Sequence, residues 1–119
     1  MKYILLIQQG DSPTPRDPEA WGRLSEEEQR AVYADYQALN QTPGVTPGTE
    51  LAPPEAATTV RVEDGKTLTT DGPFVAVKEA LGGWLIFEAD DLDAAIDLAA
   101  RIPAARLGGS VEIRPLVER

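Results

Sequence analysis

With 119 residues the chain has room for one domain around one core, because single domains cluster near about 100 to 150 residues and bury roughly two thirds of their extended surface. Lysine and arginine number 11 against 20 aspartates and glutamates, and the formal charge of −9 repels phosphate backbones and anionic lipid headgroups, arguing against direct nucleic-acid or membrane partners. Cysteine and histidine are both absent, which removes disulfides, thiolate nucleophiles, most zinc geometries and imidazole acid/base chemistry, so any catalysis must use carboxylates, amines or phenols.

The opening apolar run, Tyr3 to Ile7, is too short for a signal-peptide core, and nothing approaches the roughly 20 apolar residues of a membrane span, so a cytoplasmic location is expected. Residues 2 to 8 read as a strand with apolar side chains on both alternating faces, the pattern of a central strand. Gly10, Pro13, Pro15, Pro18 and Gly22 then break regular structure and predict a surface loop with a short turn around Trp21, whose ring tucks the loop down. Ser25-Glu26-Glu27-Glu28 is a capping-box signature and predicts a helix start. Val32, Tyr36 and Leu39, with Ala31 beside them, form its apolar stripe until Thr42-Pro43-Gly44 ends it.

Residues 45 to 57 are rich in proline and predict a loop with a short edge strand near Thr49 to Ala52. Thr58 to Val62 and Thr67 to Thr70 alternate β-formers about Asp64-Gly65, which predicts a hairpin with a two-residue type I′ turn, Glu63 facing Lys66 and Val62 facing Thr67. Gly83 to Ala89 is a second apolar strand. It runs into the acidic cap Asp90-Asp91-Leu92-Asp93 of a second helix with a stripe of Leu92, Ala95, Ile96 and Ala99, stopped by Pro103. Val111 to Arg114 alternate as a half-buried closing strand.

This order is an α+β plan, a ferredoxin-like antiparallel sheet with two helices on one face and an inserted β-hairpin. Two helices cover one face of such a sheet, yet the strands at 3 to 7 and 84 to 87 are apolar front and back. The uncovered face predicts a homodimer, with a small-molecule pocket between the sheet and its partner.

The run Thr70-Asp71-Gly72-Pro73-Phe74, followed by Lys78-Glu79 and Gly82-Gly83, resembles the DGPF, or YCII-related, family of small bacterial domains. Ala57 to Arg61, Glu88 to Ala95, Ile102 to Arg106 and Val111 to Pro115 are similar to the same family, so the resemblance spans nearly all of residues 1 to 119 as one domain. It implies a ferredoxin-like domain of the dimeric α/β-barrel type, whose biochemical activity is largely unassigned. Relatives usually carry Ala-Glu-Thr before the Lys-Glu pair, where this chain has Val75-Ala76-Val77, and a histidine proposed for the wider group's site has no counterpart here. Some relatives are encoded beside or fused to extracytoplasmic-function sigma factors, which implies a regulatory partner as one role.

Candidate site residues each carry a second, purely structural reading. Asp71 can accept a proton or anchor a ligand, or it can cap the turn that Gly72 and Pro73 shape and Phe74 plugs. Lys78 and Glu79 can form an acid/base couple or a solvated ion pair, and Arg61 can bind a ligand carboxylate or coat the hairpin. Trp84, with Tyr3 and Phe87, can line an aromatic cavity or belong to the core or a dimer interface. The carboxylates at 26 to 28 and 90 to 93 are explained by helix capping, and no metal or cofactor is expected. The leading expectation is a homodimeric small-molecule-binding or accessory module with Arg61, Asp71, Lys78 and Trp84 as ligand contacts. A cofactor-free lyase, isomerase or oxygenase using Asp71 or Glu79, and an acidic partner in sigma-factor regulation, are its rivals.

Overall fold

The computed structural model describes residues 1–71 and 81–118. Strand β1 (Lys2–Gln8) leads into a short helix α1 (Pro18–Gly22), a long helix α2 (Glu26–Gln41) and a brief strand β2 (Val45–Pro47). The hairpin strands β3 (Thr58–Glu63) and β4 (Lys66–Asp71) follow, then β5 (Leu81–Glu88), α3 (Leu92–Ala100), α4 (Pro103–Arg106) and β6 (Ser110–Pro115).

Local chemistry sets most of these boundaries. The amide of Glu28 donates to Ser25 Oγ at 3.0 Å while the Ser25 amide donates to Glu28 Oε1 at 2.9 Å, so the capping box satisfies two donors that the helix cannot pair internally. Hydrogen bonding from the Ser25 amide, and then from its hydroxyl, also holds the Glu28 carboxyl below its ordinary range. Asp91 caps α3 in the same way, accepting from the Ala94 amide at 2.9 Å. The expected short turn around Trp21 is a helix of five residues, because Asp17 caps it and Pro18 supplies a helical φ at its start. Pro103 ends α3 and, by the same geometry, begins α4.

The main sheet is antiparallel with strand order β2-β5-β1-β6. Tyr3 faces Phe87 and Pro115, and Leu5 faces Leu85 and Ile113, so these side chains share one side of the sheet. Tyr3, Leu5, Ile7, Leu85 and Phe87 are buried there against Leu39 of α2 and Ala95, Leu98 and Ala99 of α3. Ile4, Leu6, Trp84 and Ile86 alternate with them onto the opposite side and are only half-buried.

Several expectations are corrected. The α+β plan with antiparallel sheets stands, but the sheet is open: β2 and β6 are its two end strands, so no dimeric α/β barrel forms among the described residues. Closing a barrel filled by side chains takes about eight tilted strands, and this sheet has four, one of them only three residues long. The edge strand lies at Val45–Pro47 rather than near Thr49 to Ala52. Residues beyond Pro47 leave the ladder, although the Leu51 amide still donates to the Gly82 carbonyl at 2.8 Å.

In α3 the buried stripe is Ala95, Leu98 and Ala99, whereas Leu92 and Ile96 are exposed. The helix is rolled so that its alanine side lies on the sheet, where small side chains allow close approach.

The hairpin is a separate two-stranded sheet with the expected register, Glu63 opposite Lys66 and Val62 opposite Thr67. Asp64 and Gly65 have φ of 51° and 75°, both positive as a type I′ turn requires. Val60, Val62 and Leu68 are exposed on it. The radius of gyration, 16.2 Å, exceeds the roughly 13.5 Å of a compact chain of this length, as a protruding arm dictates.

Candidate functional site

A cavity of about 310 Å³ opens between α2 and the end of the sheet where β1 leaves and β5 enters. The spacing of α2 provides one wall: Val32, Tyr36 and Leu39 recur along the face turned to the sheet, with Tyr33 one position round. Ile7, Gly83 and Leu85 form the floor, Ser12 to Pro15 the roof, and Gly48, Thr49 and Glu50 the side beyond β2.

Trp21 closes the outer end. Its ring meets Tyr33 edge-on, with centroids 5.6 Å apart and planes at 72°, and its carbonyl accepts from Gln29 Nε2 at 2.9 Å. The roof is tied to the rest of the fold by the two residues that flank it. Asp11 donates its amide to the Gly108 carbonyl, and Arg16 Nη1 donates to the Leu51 carbonyl at 2.7 Å while Nη2 pairs with Glu50 at 3.3 Å.

Tyr36 is the titratable group most altered by this setting. Removal from water, and then the negative charge of Glu50, push its phenol above the ordinary value, against a smaller pull from Arg106, which is itself paired with Asp35 at 2.6 Å. Above about pH 10 the unfolded chain releases this proton while the folded chain keeps it, so the unfolded state then binds fewer protons. Its contribution to stability is therefore complete below about pH 10 and declines as the pH climbs through the raised folded value. Urea unfolding at pH 9 and pH 11 is expected to show a smaller loss for Tyr36→Phe than for the unsubstituted chain. Equal losses would show that the phenol's setting has no energetic weight.

Of the residues singled out from sequence, Trp84 contributes to the cavity lining, with its ring against Gly48. Arg61 is exposed on β3 and pairs with Glu63 at 2.7 Å, and Asp71 is exposed at the end of β4; neither is among the described lining residues. The structure does not bring Arg61 or Asp71 together with Trp84. Lys78 and Glu79, and with them Gly72, Pro73, Phe74, Val75 and Val77, lie outside the described residues. Among the described residues no group of three or more acidic side chains is placed to hold a metal ion. No helix among them is long and apolar enough to cross a membrane.

The cavity residues that sequence reasoning passed over are Trp21, Tyr33, Tyr36 and Glu50. Trp21 stood out as a bulky aromatic in a proline-rich loop. Two phenols one turn apart on α2, Tyr33 and Tyr36, are a signal that could have marked that wall. Glu50, in an irregular segment, left no signal.

A protein-family model for the YCII-related domain matches residues 1–119. The chain belongs to the YCII-related family. An uncharacterized protein of Rhizobium meliloti (strain 1021) is 35% identical over 121 residues, covering 98% of this chain and 92% of that relative. The span matched to the YCII-related domain includes every residue named above as lining the cavity.

Proposed function

We propose that this YCII-related protein is a cytoplasmic, homodimeric small-molecule-binding module whose ligand occupies the cavity between α2 and β5. The observation that carries the reading is the cavity itself. Its volume falls at the lower end of the about 300 to 1,000 Å³ of ligand pockets, its walls are chiefly aliphatic and aromatic, and a few polar groups, Tyr36, Asn40 and Glu50, converge on it. In this reading the ligand lies on the helix side of the sheet, within one chain, rather than in a cleft between two copies.

The half-exposed side of the sheet supports the dimer. Ile4, Leu6 and Ile86 form an apolar centre, with Lys2 opposite Glu88 at one end and Arg114 paired with Glu112 on the neighbouring β6. A patch that carries both signs around an apolar centre can face its own copy across a two-fold axis with opposite charges opposed.

The test for binding is an NMR screen of a fragment library against the chain and against Gly83→Leu. A Cβ at Gly83 would meet nothing nearer than 3.9 Å, so the leucine side chain fits the backbone and fills the cavity from its floor. Fragments are expected to shift resonances of Trp21, Tyr33 and Tyr36 and to lose that effect in the folded variant. A library that shifts none of them, or shifts them equally in Gly83→Leu, refutes the reading. Sedimentation of the same samples is expected to give a dimer at micromolar concentration, and a stable monomer would remove the assembly.

A further inference from the structure

The cavity is unusually aromatic for a chain with so few rings. Trp21, Tyr33 and Tyr36 are among its lining residues, and Trp84, whose side chain alternates to the other side of the sheet, borders it at Gly48. Glu50 is the one carboxylate among the described lining residues, and no lysine or arginine is among them. Trp21 and Tyr33 pack edge-on at its border, with centroids 5.6 Å apart.

These features discriminate by charge. An anion entering would exchange its hydration for apolar walls, the electron-rich faces of aromatic rings and the field of Glu50, all unfavourable. An organic cation with an apolar body meets the opposite situation: the rings attract it through their quadrupoles, and a carboxylate stands at the mouth. Arg16 already touches Glu50, at 3.3 Å, but both side chains are well exposed and the arginine is also engaged with the Leu51 carbonyl, which leaves a carboxylate oxygen for an incoming ammonium. Tyr36, raised first by burial and then by the Glu50 charge, lines the same cavity as that carboxylate.

We propose that the cavity selects organic cations, amines or quaternary ammonium groups attached to a small apolar body, over uncharged and anionic molecules of the same shape. The proposal rests on the small-molecule-binding reading above and adds the chemical class.

The experiment is an NMR titration of the chain with three probes of matched shape: benzyltrimethylammonium, benzyl alcohol and benzoate. The cation is expected to bind about tenfold or more tightly than the alcohol, with benzoate weakest. In Glu50→Gln, a substitution of one exposed loop side chain, the cation is expected to lose most of that advantage while the alcohol is unchanged. Benzyl alcohol binding as tightly as the cation, or benzoate binding more tightly, overturns the charge selectivity while leaving small-molecule binding intact. An undiminished preference for the cation in Glu50→Gln also overturns it, because the carboxylate would then have no part. If none of the three perturbs the cavity resonances, the proposal and the binding reading beneath it both fail.

Discussion

Leu98→Ala is expected to lower the unfolding free energy by about 3 to 4 kcal/mol, enough to reduce the midpoint of thermal unfolding by roughly 12 to 16 °C. Leu98 is wholly shielded from solvent in α3, at 0% exposure, and belongs to the same cluster as Leu5 and Ile102, which are equally shielded. Truncation there removes apolar burial and leaves a void that the surrounding sheet and helices are too well anchored to close. Urea unfolding should show the loss as a lower midpoint at unchanged slope.

Ile96→Ala, two positions away in the same helix, is the informative comparison. Ile96 is 47% exposed, so its truncation should cost less than about 1 kcal/mol. Equal losses at the two positions would mean that α3 is rolled differently on the sheet from the arrangement described.

Gly48→Ala is expected to be destabilising by about 2 to 3 kcal/mol and to perturb the cavity at the same time. The added methyl would coincide with the Trp84 carbonyl oxygen and lie 2.5 Å from Trp84 Cδ2 and 2.7 Å from Cε3. A rotamer change relieves the ring contact but not the backbone one. The segment after β2 must therefore move off β5, stretching the Leu51 amide bond to the Gly82 carbonyl and carrying Thr49 and Glu50 with it. Tryptophan fluorescence should shift along with the unfolding midpoint. A variant with unchanged midpoint and emission would show that the backbones are not in such close approach.

Much of the framework follows from short-range chemistry. Ser25 and Glu28 specify the start of α2, Asp91 that of α3, and Asp64-Gly65 the hairpin turn with its register, because each involves bonds among residues a few positions apart. Two-sided apolarity in residues 3 to 7 and 84 to 87 likewise declares central strands, and the structure pairs them directly, Leu5 opposite Leu85.

The roll of α3 was not legible. Leu92, Ala95, Ile96 and Ala99 satisfy a helical period as well as Ala95, Leu98 and Ala99 do, and only the close approach of helix to sheet chooses between the two stripes. The location of β2 was hidden for a related reason. Prolines at 43, 47, 53 and 54 make every register in that stretch poor, and the pairing of Val45 with Phe87 decides the matter from outside the segment.

The candidate site divides along the same line. Sequence alone determined the family, the two central strands, the hairpin and the two longer helices, the acidic charge and the absence of thiol and imidazole chemistry, since these depend on residue identity and neighbours within a turn. Tertiary structure decided that Trp21, Tyr36, Glu50 and Trp84, contributed by four separate segments, line one cavity, and that the main sheet stays open. Such convergence is set by how α2 and the loops lie across the sheet, a long-range packing outcome that no local pattern encodes.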